Sequence, residues 1–422
     1  MVDVTSLADK PALVRAPAEV RRARIRGIVY FVLAVATYVL LASTTEGDVV
    51  FRLGDAPGDL DLTLSAAGLA TASAVVFGFL GALEIGRRGL GRWSNIALSI
   101  ALALFAFAFL GWAAAGKSLS LVGMLEGSVA AATPIAFGAL SGVMCERVAV
   151  INIGIEGMLL TGAFMGAVIG TVVNPVGGVV AATLAGGVMA AILAVLAIKY
   201  RVDQIIAGVV INILALGLTS FLSAQILVEN SSAYNNPGVL RPIKIPVLGD
   251  IPIIGRIFFD QNIFIYALFI ITAGMTYGLF RTRWGLRSRA VGEHPKAADT
   301  LGINVFRTRY MNVIIGGMIA GFGGAYFTLG SVGAFNENMT AGRGFIGLAA
   351  MIFGRWHPVG ALAAALVFGF ADSLQVKLAI LDSGIPSEFL LMAPYLVTII
   401  VVAGVVGAAR PPAADGQPYI KE

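Results

Sequence analysis

One stretch of the sequence matches the pattern of a phosphate-binding loop at every position. Residues 111–118 read Gly-Trp-Ala-Ala-Ala-Gly-Lys-Ser, the GxxxxGK(S/T) pattern in which backbone N–H groups and a lysine hold nucleotide phosphates. Such a loop must follow a buried strand and open a helix. Here a helix-length apolar run precedes the loop, and the surrounding charges favour an extracellular position. We therefore expect no nucleotide site here. Because no second ATPase element follows, any ATP would be used by another polypeptide.

The sequence offers little for metal binding or covalent catalysis. Cys145 is the single cysteine, and His294 and His357 are the two histidines. These three residues do not make a Cys/His zinc site, and one cysteine forms no intramolecular disulfide. We expect no metal ion, no catalytic residue and no enzymatic activity in this chain.

Acidic residues inside apolar runs are the groups that would carry protons in a secondary carrier, because charge in lipid is expensive and usually functional. Glu84 and Glu146 stand beside arginines at the ends of their runs, so interfacial pairing is their simplest interpretation. Glu126 lies deeper in its run, and Asp372 lies near the end of a later one. A proton-coupled carrier needs several deep acidic or histidine groups. The sequence disfavours that class, which stays open as an alternative.

A polar, glycine-containing stretch separates two apolar runs at residues 150–157, Val-Ile-Asn-Ile-Gly-Ile-Glu-Gly. Two interpretations are equally supported. The stretch is either a cytoplasmic turn between two spans or a broken helix that lines a path, with Asn152 and Glu156 as polar contacts. Broken backbone at membrane depth is tolerated only where protein or water satisfies it.

The segment 289–304 combines helix start and stop signals inside the most basic loop of the chain. Pro295 favours the first turn of a helix, and Gly302 favours a left-handed residue after its end. A two-turn helix is marginal in isolation. Ala297, Ala298 and Leu301 give it a small apolar face that fits the groove of a partner. The alternative is an ordinary basic loop.

Membrane-spanning helices must position all of these groups. Of the 422 residues, 58% are hydrophobic and 13% are charged, and the mean hydropathy is +0.88. Soluble domains are nearer 45–50% apolar and about 25% charged. Because a spanning helix needs roughly 20 apolar residues, we expect an all-α, polytopic transmembrane protein with about 11–12 membrane segments. The predicted segments are 27–43, 63–85, 94–115, 121–144, 155–173, 176–198, 205–227, 263–280, 310–333, 345–354, 359–379 and 388–408.

The distribution of charge predicts the orientation of these segments. The net charge of +5 comes from basic residues in short loops, which the positive-inside rule explains without nucleic acid. Loop charge places 44–62 and 228–262 outside and both termini in the cytoplasm. The run 345–354 is too short to span and predicts a half-helix. Small residues spaced by four, at Gly138/Gly142, at Gly162/Gly166/Gly170 and at Gly317/Gly321, predict close helix packing.

Four stretches together resemble one family. They are 289–304, Glu146-Arg147 with Asn152-Ile-Gly-Ile-Glu-Gly157, Gln204 to Asn212, and Thr340-Ala-Gly-Arg-Gly-Phe345 through Phe353-Gly-Arg-Trp356. In this order they resemble the permeases of ABC importers for branched-chain amino acids, ribose and nucleosides. The form Asn-Ile-Gly-Ile-Glu-Gly is more similar to nucleoside permeases than to ribose permeases.

The resemblance implies a pore made by two permease chains in a bacterial cytoplasmic membrane, with cytoplasmic ABC ATPase subunits and an extracytoplasmic substrate-binding lipoprotein. ATP is then used by the partner ATPases, and this chain needs no cofactor. The resemblance covers about 121–408, which we expect to form the permease core. Residues 1–120 would add about three helices of unassigned role, and 409–422 would form a cytoplasmic tail.

On this hypothesis the chain moves a substrate, most similar to a nucleoside, by alternating access. Simple sugars and branched-chain amino acids are the alternative substrates. The expected polar path contacts are Asn152, Glu156, Gln204 and Asn212. The residues expected to couple the permease to its ATPase are Gly292, Glu293, His294, Pro295, Ala297, Ala298, Gly302 and Ile303. His294 stands where the family usually has Asn.

Overall fold

The computed structural model describes residues 17–54, 60–381, 389, 392 and 410–421. This part of the chain is mostly helical and contains ten helices that are long and apolar enough to cross a membrane. The all-α, polytopic membrane class expected from the sequence is thereby confirmed. The helices are α1 (Pro17–Ala36), α2 (Ala66–Gly86), α3 (Ser94–Ala113), α4 (Leu121–Glu146), α5 (Ile155–Val172), α6 (Pro175–Ala194), α7 (Gln204–Leu222), α8 (Ser231–Tyr234), α9 (Ile263–Arg281), α10 (Arg283–Glu293), α11 (Pro295–Thr300), α12 (Val305–Ala325), α13 (Arg343–Phe353) and α14 (Pro358–Ile380).

Several helices continue into wider, π-helical turns, which lengthen the spans. Such turns follow α1, α6, α7 and α12, and one precedes α9 in the polar loop. They are Thr37–Ala42, Val195–Lys199, Ser223–Leu227, Tyr326–Val332 and Gly255–Phe259. The observed spans follow the apolar runs closely. The first and the ninth begin earlier than predicted, at Glu19 and Val305.

The predicted half-helix is present as α13, an apolar helix of 11 residues. The predicted last segment, 388–408, lies outside the described residues apart from 389 and 392.

The described residues group into two compact units. The first contains α1 to α3 and residues 378–381 at the end of α14, and the second contains 122–377 and 410–421.

A small sheet in the first unit was missed by the sequence analysis. Its strands are β1 (Asp48–Arg52), β2 (Asp61–Ser65) and β3 (Ser118–Ser120), in the order β2-β1-β3. β1 pairs antiparallel with β2 and parallel with β3, with Val50 opposite Ser118. Val49 and Phe51 are buried on one face of β1, and Phe51 stacks on Phe107 with ring centroids 4.6 Å apart.

The phosphate-loop pattern at 111–118 forms the turn between α3 and β3. The order is helix, turn and strand, the reverse of the order that cradles phosphate. The backbone N–H of Gly116 donates to the Asp48 carbonyl at 2.9 Å, and that of Lys117 donates to the Ala114 carbonyl at 2.9 Å. The Lys117 ammonium donates to the carbonyl of Leu381. These two backbone donors and the lysine are therefore engaged within the chain.

In the second unit, side-chain caps set where helices begin. Asn174 accepts from the Gly177 N–H at 2.8 Å and precedes Pro175 at the first turn of α6. Asp203 caps α7 and Asn262 caps α9 in the same way. These caps satisfy backbone donors that lipid would leave unpaired.

Two short strands lie in the polar loop just before α9. Residues 243–244 (β4) pair with residues 260–261 (β5).

The centre of the second unit is a glycine-mediated contact among α5, α6 and α12. A Cβ atom on Gly162 would lie 2.8 Å from the Cα of Gly321, and one on Gly186 would lie 2.6 Å from that same Cα. Only glycine permits backbones to approach this closely in a helix interface. The predicted packing role of Gly162 and Gly321 is confirmed.

Candidate transport path and coupling segment

The polar stretch 150–157 is an irregular connection followed by the first turn of α5. After α4 the chain makes a tight turn in which Ala149 has φ +62° and its N–H donates to the Glu146 carbonyl at 2.9 Å. Asn152 is fully buried there. Its amide contacts the sulfur atoms of Cys145 and Met158, each at 3.5 Å. Within the described part of the chain, its Oδ1 atom makes no hydrogen bond.

Gln204 and Asn212 hold this connection from the neighbouring helix α7. Oε1 of Gln204 accepts from the Ile151 N–H at 2.7 Å. Asn212 is bidentate: Oδ1 accepts from the Gly157 N–H at 2.8 Å, and Nδ2 donates to the Ile153 carbonyl at 2.9 Å. An amide satisfies a backbone donor and acceptor together, which explains why asparagine fits this position.

Glu156 links the start of α5 to the start of the half-helix α13. Its Oε1 atom accepts from the Thr340 hydroxyl at 2.6 Å and from the Gly342 N–H at 2.8 Å. Its Oε2 atom accepts from the Gly344 N–H at 2.6 Å. A carboxylate at a helix N-terminus compensates its unpaired N–H groups and favourably opposes its dipole.

The structure therefore brings all four predicted path residues to one place, around 150–157. Each makes polar contacts with the chain's own backbone or side chains, and Asn152, Glu156 and Gln204 are buried. Sequence reasoning did not identify their partners. Thr340 and Gly344 stood in a stretch that resembled the family, but nothing in the sequence linked them to Glu156.

At the end of α4 the expected pairing of Glu146 with Arg147 is not the main contact. The Trp356 indole donates to Glu146 Oε2 at 2.5 Å, and Arg147 Nε donates to the Trp356 carbonyl at 2.8 Å. Two adjacent side chains at the end of a helix point in different directions. Glu146 and Arg147 therefore both bind the turn after α13 instead of each other. The Phe280 ring lies beside this turn and stacks on His357 with centroids 4.7 Å apart. Burial lowers the pKa of His357, and the positive charge of the nearby Arg147 lowers it further.

Other carboxylates of the apolar runs are paired with arginines. Glu126 accepts from Arg256 at 3.2 Å, and Asp372 lies 3.9 Å from Arg343. Glu84 lies 3.9 Å from Arg26 and accepts from the Leu90 N–H at 3.0 Å. Among the described residues no group of three or more His, Cys, Asp or Glu side chains is arranged to hold a metal ion.

The short helix predicted between 292 and 303 is present as α11. Nδ1 of His294 accepts from the Ala297 N–H at 3.1 Å and caps the helix, and Pro295 occupies its first turn. Gly302 has φ +79°, and the next N–H, of Ile303, donates to the Ala298 carbonyl at 3.1 Å. This is the left-handed helix end that glycine favours. A histidine side chain is thus the capping acceptor of α11.

The two alanines of α11 face opposite ways, which corrects one expectation. Ala298 is 2% exposed and packs in a buried cluster with Val291 and Val305 of the same chain. Its side chain is not available to a partner. Ala297 is exposed, and Leu301 is 80% exposed. Gly292 is buried as well, and a Cβ there would collide with the Arg147 carbonyl. The exposed residues of this segment are Glu293, His294, Lys296, Ala297, Thr300, Leu301 and Gly302.

Comparison with known families identifies this arrangement. Residues 124–403 match the family described as the permease component of the branched-chain amino acid transport system. The chain belongs to this permease family. The match begins at the fourth residue of α4, so the helices α1 to α3 lie outside it. No solved structure matches the chain.

Three curated relatives show how specific the similarity is. The guanosine ABC transporter permease protein NupQ of Bacillus subtilis is 43% identical over 300 residues, covering 69% of this chain and 94% of NupQ. The nucleoside ABC transporter permease protein NupC of Lactococcus lactis is 40% identical over 305 residues, covering 68% and 94%. The putative glucose ABC transporter permease protein TsgC13 of Haloferax volcanii is 35% identical over 256 residues, covering 60% and 77%.

Proposed function

We propose that this permease admits nucleosides as one subunit of an ATP-driven importer. The observation that carries the proposal is the 40–43% identity to two permeases named for guanosine and nucleosides, over 94% of each. TsgC13, which is named as a putative glucose permease, is less similar in sequence, and the match covers less of its length. A simple sugar is therefore the second substrate to test.

The proposed importer contains a second permease chain, two cytoplasmic ABC ATPase subunits and an extracytoplasmic substrate-binding lipoprotein. The ATPases bind α11, whose outward residues Ala297 and Leu301 present a small apolar surface beside exposed basic side chains of α10 and α11. A helix of six residues has no stability of its own, so its fixed position comes from the packing of Ala298 beneath it. Motion applied to its outer face would then reach α10 and α12.

The proposed path runs beside the connection 150–157, where Asn152, Glu156, Gln204 and Asn212 meet. Irregular backbone between two spans is tolerated where protein satisfies it or where a cavity is lined. In the described conformation these side chains bind the chain itself. Asn152 Oδ1 is buried and makes no hydrogen bond within the described residues, so we propose that it accepts a hydrogen bond from the substrate when the path opens.

The proposed orientation places α10, α11 and the tail in the cytoplasm of a bacterium and the loop 228–262 outside. The charge pattern supports it. The contact between α10 and the tail at 410–421 also supports it, because segments in contact outside the spans belong on the same side. The cytoplasmic N-terminus falls partly on residues outside the described part and remains a sequence-based prediction.

Reconstitution of the complex tests the function. The permease is co-expressed with the products of its neighbouring transport genes, purified and placed in vesicles with ATP inside. We expect an ATPase to co-purify and labelled guanosine to accumulate when the binding protein is added. Glucose and leucine serve as matched substrates. If glucose alone accumulates, the substrate is a simple sugar and the proposed nucleoside substrate is wrong. Uptake that needs no ATP and collapses with a protonophore would support the proton-coupled carrier instead.

A further inference from the structure

The C-terminal tail, residues 410–421, packs on three parts of the permease core: the segment formed by α10 and α11, the helix α12, and the connection after α4. The Ala414 N–H donates to the Gly292 carbonyl at the end of α10 at 3.0 Å, and the Ala413 N–H donates to Glu293 at 3.2 Å. Lys421 lies 3.9 Å from Asp299 of α11. The tail therefore contacts both helices of the segment expected to receive the ATPase.

The same tail also contacts α12. Nη1 of Arg309 donates to the Gln417 carbonyl at 3.1 Å, although Arg309 is only 1% exposed. The Tyr419 ring lies 5.3 Å from the Phe306 ring and is buried in the cluster that contains Ala298 and Val305. A buried tyrosine side chain fixes a segment more firmly than surface charge pairs do, because it is removed from water.

The third contact is with the connection after α4. A Cβ on Gly416 would lie 2.8 Å from Ile151, and the Asp415 carboxyl interacts with Glu146. The tail thus joins the coupling segment to the connection that Gln204 and Asn212 hold.

We infer that the C-terminal tail is a positioning element of the coupling machinery, which holds α10 and α11 against the ends of α4 and α12. The inference rests on the proposed function, because it assumes that α11 receives an ATPase. The tail packs between these elements and contacts each of them. When the ATPases displace α11, the packing of Ala298 carries the motion to α12 and the tail carries it to 150–157. Without the tail, the displacement reaches 150–157 less effectively.

The experiment compares uptake per ATP hydrolysed in the reconstituted complex. The variants are a chain ending after Arg410, Tyr419→Ala and the conservative Tyr419→Phe. Ile420→Ala is the matched control, because Ile420 is adjacent, apolar and 54% exposed. We expect the truncated chain and Tyr419→Ala to hydrolyse ATP with uptake per ATP reduced several-fold. Tyr419→Phe and Ile420→Ala should resemble the unmodified permease.

A merely structural tail would lower the amount of assembled complex and leave uptake per ATP unchanged, which would overturn the inference. If the truncated chain does not assemble, Tyr419→Ala decides by the same ratio. If Tyr419→Ala does not assemble either, cysteine accessibility at Leu301→Cys in the unmodified complex decides. ATP should then alter labelling at Leu301→Cys and at Ile420→Cys together, and independent changes would contradict the inference. A wild-type complex that takes up no nucleoside would instead refute the proposed function.

Discussion

The Gly344 N–H donates a hydrogen bond of 2.6 Å to Glu156 Oε2, joining the start of α13 to the start of α5 across 188 residues of sequence. The same carboxylate accepts two further hydrogen bonds, from Thr340 and Gly342. One side chain therefore fixes where the half-helix begins. The position of the half-helix depends on α5, the helix that follows the proposed path.

Glu156→Gln should destabilise the permease and reduce transport. An amide places N–H groups where the carboxylate accepts from N–H donors, and each unsatisfied buried group costs about 1–3 kcal/mol. We expect a lower melting temperature of the purified permease and weaker uptake. Glu337→Gln is the control, because Glu337 is an exposed carboxylate in the segment before α13. Equal melting temperatures for the two variants would contradict the anchoring role.

Gly302→Val should impair coupling without unfolding the spans. A left-handed residue with a Cβ costs roughly 1–2 kcal/mol, and the space around Gly302 is open, so the effect comes from the backbone alone. The end of α11 should then be misdirected. We expect normal insertion, retained helical content and reduced uptake per ATP. Gly217→Val in α7, where a Cβ also meets nothing, should behave as the unmodified chain does. If Gly302→Val keeps the uptake per ATP of the unmodified permease, the proposed role of the left-handed end of α11 in coupling is wrong.

Ala298→Glu and Ala297→Glu should fail in different ways. A carboxylate at Ala298 would be buried without a partner in an apolar cluster, which is strongly destabilising. We expect a loss of folded permease. At the exposed Ala297 the same change should leave the permease stable and weaken retention of the ATPase. Thermal unfolding and ATPase co-purification separate these outcomes. A stable Ala298→Glu permease that has lost only its ATPase would show that Ala298 faces the partner after all.

The charge of Asp415 should make tail packing dependent on pH. Burial raises the pKa of Asp415 to about 6, although hydrogen bonds with Glu146 and with the Gly416 backbone, and then the charge of Arg309, partly oppose the shift. Because this pKa is higher in the packed state than in a solvated tail, packing is favoured as the pH falls through 6. Hydrogen exchange of the tail, corrected for intrinsic rates, should be slower at pH 5.5 than at pH 8. Asp415→Asn should reduce this difference, and an unchanged difference would exclude Asp415 as its source.

Cysteine labelling should report the orientation of the spans. The single native cysteine, Cys145, is buried, so it contributes little background. Ser232 is exposed in the loop expected outside, and Leu301 is exposed in the segment expected inside. An impermeant reagent added to whole cells should label Ser232→Cys and miss Leu301→Cys until the cells are opened. Labelling in the reverse pattern would invert the proposed topology.

Local sequence signals predicted the features that depend on neighbouring residues. Apolar runs located the spans because the hydrocarbon thickness fixes their length. Pro295 and Gly302 located α11 because both act on their own backbone. Features that join distant residues were missed. The pairing of Val50 with Ser118 and the bond from Thr340 to Glu156 carry no sequence signature, and neither does the direction in which Ala298 points.

The glycine contact among α5, α6 and α12 limits how the permease can change shape. No side chains separate Gly162, Gly186 and Gly321. If one helix slid along another, no side chain between them could change its rotamer to make room. A shift of α12 by one residue would bring Phe322 to the place of Gly321 and produce a collision. The three helices must therefore travel as a single block. Opening and closing of a passage then requires this block to tilt against the surrounding helices, with its own interior unaltered.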